Sequence, residues 1–76
     1  MKFKVTIVSA KEKWEIEADS LTLPSQEGQL TILCDHAPIM GKLKEGQIIA
    51  PSYKKEIKGG FFEIIDNQAR ILINEE

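Results

Sequence analysis

Most of what makes a small protein chemically reactive is scarce in this sequence, which has one cysteine, one histidine, one tryptophan and one tyrosine in 76 residues. A single thiol, Cys34, builds no disulfide framework, and it suits a reducing compartment better than a secreted, stapled fold. One Cys and one His offer two soft ligands, where structural zinc takes four and catalytic zinc three. No apolar run comes near the roughly 20 residues of a membrane-spanning helix. Met1 to Ser9 alternates Lys with apolar residues, whereas a signal peptide carries a continuous apolar stretch. Charge of one sign is lacking too. Ten Lys and Arg face twelve Asp and Glu, a net of −2, without the basic stripe that nucleic-acid readers show.

What is present is a hydrophobic share of 42%, enough for a core and well above a disordered composition. The length fits one domain, residues 1–76. A domain this short buries only about 60% of its unfolded surface, so its stability alone is marginal and a partner would add to it.

The residues favour β structure. Eleven isoleucines, two valines and three threonines outnumber six leucines, and β-branched side chains suit a pleated surface. Phe3, Val5 and Ile7 share one face of a first strand, with Lys2, Lys4 and Thr6 opposite. Trp14, Ile16 and Ala18 repeat the pattern, followed by Leu21 and Leu23, Leu30 and Ile32, then Ile48 and Ala50. Phe62, Ile64 and, by register, Asp66 alternate with Phe61, Glu63 and Ile65, and Ile71 with Ile73 closes the set. Turn residues separate these runs at Lys11-Glu12, Pro24 to Gly28, Asp35 to Pro38, Glu45-Gly46, Gly59-Gly60 and Asp66-Asn67. Short alternating runs with turns every eight to twelve residues are the signature of an antiparallel sandwich or barrel, and the fold expected is an all-β antiparallel β-sandwich of short strands. The only helical candidates are one turn around Pro38 to Leu43 and the C-terminal tail, where Ile71 and Ile73 fit a strand better. Ile48-Ile49 and Phe61-Phe62 put apolar groups on both faces of their strands, so one face needs a cover, from a loop or from another protein.

Few residues suggest chemistry. Cys34-Asp35-His36 contains the residue types of a nucleophilic triad, but in extended chain Asp35 points away from the other two and cannot orient the imidazole. A small buried thiol and a hydrogen-bonded loop histidine is the preferred reading. Glu15/Glu17 and Glu75/Glu76 read as solvated charge. Gly59-Gly60 lacks the spaced glycines and following helix of a phosphate loop, and reads as backbone at positive φ or in close approach to another chain. Lys54, Lys55 and Lys58 with Tyr53 make a small basic patch with too few aromatics for a single-strand nucleic-acid platform.

One segment is more specific. Leu23 to Pro38, reading Leu-Pro-Ser-Gln-Glu-Gly-Gln-Leu-Thr-Ile-Leu-Cys-Asp-His-Ala-Pro, resembles the signature loop of the epsilon subunit of F-type ATP synthases. That family has there a Glu-Gly turn, an Ile-Leu strand and a His-Ala-Pro loop. Leu43-Lys44-Glu45-Gly46 is similar to its Leu-x-x-Gly step, and Gly59-Gly60-Phe61-Phe62-Glu63-Ile64 with Asn67 is similar to its Gly-Gly-Phe-x-Glu-Val and following Asn. Val5 to Ala10, Trp14 and Ala18-Asp19-Ser20 fit its first strands.

The resemblance implies a non-catalytic subunit, without cofactor or metal, at the foot of the rotating central stalk. Such a subunit links gamma to the ring of membrane c subunits and couples proton or sodium flow to ATP synthesis. On this resemblance Glu27, Gly28 and Gln29 touch the c-ring, while His36, Ala37, Pro38, Met40 and Leu43 pack on gamma. Gly46, Gly59 and Gly60 are then structural turns. Membrane association, at the cytoplasmic face of a bacterial membrane, would come only through the complex. Two departures stand out. Cys34-Asp35 replaces the usual Pro-Gly, and Gln29 stands where the family is often acidic. The family's long form continues into a two-helix inhibitory hairpin, whereas this sequence stops at Glu75-Glu76; whether as a naturally short form or as part of a longer one, the hairpin and its nucleotide site are not assigned to these residues. The rival readings are a free-standing β-sandwich binding module for a peptide or small ligand, and a thiol enzyme built on Cys34 and His36.

Overall fold

Alternation along the chain becomes nine strands in the computed structural model, which describes residues 1–74. Glu75 and Glu76, read above as solvated charge, lie outside the described residues. The strands are β1 (Phe3–Val8), β2 (Lys13–Ala18), β3 (Ser20–Ser25), β4 (Gly28–Leu33), β5 (Ile39–Leu43), β6 (Gly46–Ala50), β7 (Tyr53–Ile57), β8 (Gly59–Ile65) and β9 (Gln68–Asn74). They pair in the order β2-β1-β9-β8-β5-β3-β6-β7, with β4 on β3. Between β5 and β3 the ladder narrows to one pair, Ser25 with Leu43, and there the sheet curls into two layers. One layer is β2-β1-β9-β8-β5 and the other β4-β3-β6-β7. The body measures 33 × 25 × 18 Å.

The inward residues are those the alternation assigns. Sixteen hydrophobic side chains are buried, drawn from every strand, and none of the buried residues is polar or charged among those described. Trp14, Ile16, Leu30, Ile39, Cys34 and Tyr53 pack partly against this cluster. At about 25 cal/mol per Å² of apolar surface removed from water, this layer is the main stabilising contribution.

Three features depart from the sequence expectation. The sandwich is not antiparallel throughout, because β1 and β9 pair in parallel, Lys4 with Gln68 through Val8 with Leu72. The segment after Pro38 is a strand rather than a helical turn. Proline restricts Ala37 to extended backbone, and β8 offers β5 an edge that pairs Ile39 with Ile64 and Leu43 with Gly60. Strand β7 went unread because Lys55 occupies an inward position between Tyr53 and Ile57 and interrupts the apolar alternation. Its ammonium lies 4.4 Å from the Trp14 ring centroid, a cation–π contact between edge strands of the two layers. An inward-facing charge on an edge strand also discourages pairing with further chains. Asp66 and Asn67, read as turn residues from sequence, form the two-residue β8–β9 turn at φ 50° and 58°, the positive values a type I′ hairpin turn requires.

Gly46 and Gly59 open β6 and β8, and Gly60 is the second residue of β8. At Gly60 the requirement for glycine is strict. Its φ is +148°, and an added Cβ would stand 2.0 Å from the Leu72 carbonyl oxygen. The close approach is to β9 of the same chain. Gly28, at φ +124°, has open space around it. Gly60→Ala should therefore lower the unfolding free energy by about 3 kcal/mol or more, and Gly28→Ala by only about 1–2 kcal/mol. Urea denaturation of the two variants makes the comparison.

Candidate docking surfaces

Three outward regions carry the residues singled out by sequence. The first is the β3–β4 turn. Ser25 and Gly28 close the hairpin, leaving Gln26 and Glu27 at its tip, and the Ser25 hydroxyl donates to the Gly28 carbonyl at 2.5 Å. The turn is also tied to β5: Gln26 N–H donates to the Lys42 carbonyl at 3.0 Å, and Lys44 N–H to the Pro24 carbonyl at 2.8 Å. Glu27 and Gln29 are exposed on this fixed turn and can offer an acid and an amide to a partner.

The second is the β4–β5 loop. His36 N–H donates to the Leu33 carbonyl at 3.2 Å, closing a turn in which Asp35 holds φ +62°. That is the position a type II turn normally gives to glycine, so the turn survives without Pro-Gly. Asp35 is held by Asn67, whose Oδ1 accepts the Asp35 N–H at 2.6 Å and whose Nδ2 donates to Asp35 Oδ1 at 2.8 Å. The His36 Nδ1 lies 2.7 Å from the Ala37 carbonyl oxygen. A carbonyl only accepts, so Nδ1 carries the proton and the other ring nitrogen is left to a partner or water. Ala37 and Pro38 are exposed.

The third is the outer face of the first layer. Met40 (70% exposed), Phe61 (55%) and Leu72 (57%) lie on the outward side of β5, β8 and β9, with Ile65 on the same side. Phe61 stands opposite Leu72 and Lys42 in register, and Leu72 opposite Val8. Met40, Phe61, Leu72 and Val8 line an open groove of about 700 Å³. Lys4, Lys13 and Glu15 rim it, with the two ammonium groups 3.5 and 3.9 Å from Glu15 Oε2. Exposed Lys42 and Arg70 lie on the same side. A contiguous apolar face with a charged rim is the ordinary anatomy of a protein interface.

The expected contact set is thus split by the fold. His36, Ala37, Pro38 and Met40 are half-buried or exposed, and Met40 continues directly into the apolar face. Leu43 is a correction: at 3% exposure it points into the core, because it stands three residues from Met40 on a strand of period two. Sequence reasoning had flagged Phe61-Phe62 as apolar on both faces but had not placed Phe61 among contact residues. Its alternation with buried Phe62 was the available signal. The basic patch disperses, since Lys58 pairs with Glu45 at 2.9 Å, Lys55 covers Trp14 and Tyr53 packs on the core. Glu45 holds the Lys58 pKa above its usual value, through a hydrogen bond first and its charge second. Cys34 Sγ turns to Asn67 Oδ1, 3.9 Å away. No three of His, Cys, Asp and Glu come together as metal ligands among the described residues, and no helix there is long and apolar enough to cross a membrane.

The chain is thus a thin two-layer β-sandwich with one apolar outer face and two ordered loops. Residues 2–75 match the family model described as the ATP synthase delta/epsilon chain β-sandwich domain, and the chain belongs to that family. It is 36% identical over 81 residues to the ATP synthase epsilon chain of Nostoc sp., covering 97% of this chain and 59% of that one. It is 42% identical over 66 residues to the chloroplastic ATP synthase epsilon chain of Porphyra purpurea, covering 80% of this chain and 48% of that one. The chain therefore spans between about half and three-fifths of the length of these relatives. Among solved structures, a chain of the Tetrahymena thermophila mitochondrial ATP synthase central stalk and c-ring shares the fold at a TM-score of 0.80 and 16% identity, covering 97% of this chain and 64% of that one. A chain of the Euglena gracilis mitochondrial ATP synthase does so at 0.79 and 20%, covering 95% of this chain and 50% of that one.

Neighbouring phenylalanines separate surface from core. Phe61→Ser should cost at most about 1 kcal/mol of stability, whereas Phe62→Ser, at a position 5% exposed, should cost about 3–5 kcal/mol. Thermal unfolding of both variants reads the difference.

Proposed function

We propose that this chain is the sandwich of a central-stalk epsilon subunit in a proton- or sodium-driven F-type ATP synthase, a non-catalytic adaptor between gamma and the c-ring. The observation that carries the reading is the apolar face of Met40, Phe61 and Leu72, which continues from the ordered His36-Ala37-Pro38 loop. A subunit standing alone would expose this face to water, whereas a gamma subunit would cover it. The β3–β4 turn with Glu27, Gly28 and Gln29 lies at the other end of β4 from that loop, some 17 Å away at about 3.4 Å per strand residue. One rigid hairpin can therefore meet two partners, with gamma at the loop and the polar loops of the c-ring at the turn. The adaptor would be peripheral, on the cytoplasmic side of a bacterial membrane, and attached through the complex. Its packed interior, low in compressibility, suits the transmission of torque.

Co-expression with the gamma subunit of the host synthase should give a one-to-one complex on size-exclusion chromatography, with a raised melting temperature through binding linkage. A stable monomer with no affinity for gamma would instead indicate an independent binding module. Within the complex, Met40→Asp should weaken gamma binding by about 2 kcal/mol or more, since a charge would be buried at the contact, while the fold holds. Leu43→Asp should unfold the chain outright, and circular dichroism distinguishes the two losses. Substituting Glu27 and Gln29 by Ala should loosen ring attachment and lower ion-coupled ATP synthesis, leaving ATP hydrolysis by the detached catalytic head intact. Unaltered coupling would remove that turn from the ring contact.

A further inference from the structure

We propose that Asn67 is a positioning residue for the gamma-facing loop, acting through Asp35 from a different hairpin. This rests on the reading of that loop as the gamma contact. One side chain makes both connections. Its Oδ1 accepts the Asp35 N–H at 2.6 Å and its Nδ2 donates to Asp35 Oδ1 at 2.8 Å, across 32 residues of sequence. The Asn67 carbonyl accepts the Lys4 N–H at 3.3 Å, so the same residue is anchored on β1. The clamp thereby joins the first layer, through the β8–β9 turn, to β4 in the second.

The site asks for asparagine on two counts. The backbone at 67 sits at φ 58° and that at 35 at φ 62°, values that Asn, Asp and Gly tolerate better than other residues. The side chain must also accept one hydrogen bond and donate another in one plane, which an amide does. Glycine would satisfy the backbone and make neither bond. Aspartate would keep the acceptor but set two carboxylates face to face.

The consequence lies in what is strung between fixed points. Asp35 is held by Asn67 on one side, and Ile39 is held on the other by its pairing with Ile64 of β8. His36, Ala37 and Pro38 span that interval, so their presentation depends on both anchors. Because the β8–β9 turn sets the first anchor, gamma affinity should depend on a residue outside the loop that meets gamma.

The test uses Asn67→Gly and Asp35→Gly in the full chain, since glycine relaxes the backbone at both positions and leaves only the side-chain bonds at issue. Amide hydrogen exchange followed by NMR should show the Asp35 amide at least ten-fold faster in Asn67→Gly, with the Ile71 amide in the core unchanged. Asp35→Gly keeps the N–H that Asn67 accepts, so its exchange should rise less. Gamma affinity should fall about ten-fold in Asn67→Gly and by a smaller factor in Asp35→Gly. An unchanged Asp35 amide would overturn the clamp. Faster exchange with unchanged gamma affinity would overturn the positioning role. Failure of the unaltered chain to bind gamma would overturn the reading of the loop, and the positioning role with it, while the exchange measurement still decides the clamp. A uniform rise in exchange across the core would mark Asn67 as a general stability residue and also overturn the proposal.

Discussion

Between the two layers of this sandwich there is room for one stratum of side chains, and its fully buried members are all hydrophobic among the described residues. Everything else follows from keeping it dry. With no buried polar or charged side chain among the described residues to fix geometry, register must come from alternation, because a slip of one residue would turn every inward side chain to water. The preference for isoleucine follows, since branched side chains fill a pleated surface with few rotamers. So does the severity at Gly60, where β8 and β9 approach so closely that a methyl group has no place.

The same constraint explains why the docking features are where they are. A core this thin uses one face of each strand, so the opposite face of β5, β8 and β9 is free to be apolar only if something else covers it. The loops show a different economy: both are ordered by hydrogen bonds rather than by packing. The β3–β4 turn is pinned to β5 through backbone groups, and the β4–β5 loop is pinned to the β8–β9 turn through Asn67. Their separation is set by strand β4, whose length is fixed by covalent geometry and cannot stretch under load.

Sequence reading went furthest where period-two alternation was unbroken. Phe3-Val5-Ile7, Leu21-Leu23 and Ile71-Ile73 could be placed inward from sequence alone. It stopped where a charge sat in an inward position, as Lys55 does in β7, since its stabilising partner Trp14 is 41 residues away in the chain. The parallel pairing of β1 with β9 was equally hidden, because alternation is silent about direction. At the candidate site, the signature loop was legible as a family resemblance and Asp35 as a residue that tolerates a left-handed turn. Leu43 was misplaced because it was carried over with its loop by family resemblance, and its inward face shows only once Ile39–Leu43 is a strand. Asn67 was visible only as part of the family pattern, its reach to Asp35 being a property of the folded chain.

The position of β9 has a consequence for how the chain comes to be folded. It lies between β1 and β8, so the β1–β2 hairpin has no other neighbour in its layer until the last strand arrives. A lone two-stranded hairpin is marginal in water, and joining the first strand to the last closes nearly the longest loop the chain can make. During synthesis the first layer therefore waits, with the open edges of β1 and β8 exposed, for residues 68–74 to emerge. Folding should be slow for so small a domain, as non-local pairings generally make it. A binding partner already in place would shelter those edges at the stage when they are most prone to pair wrongly.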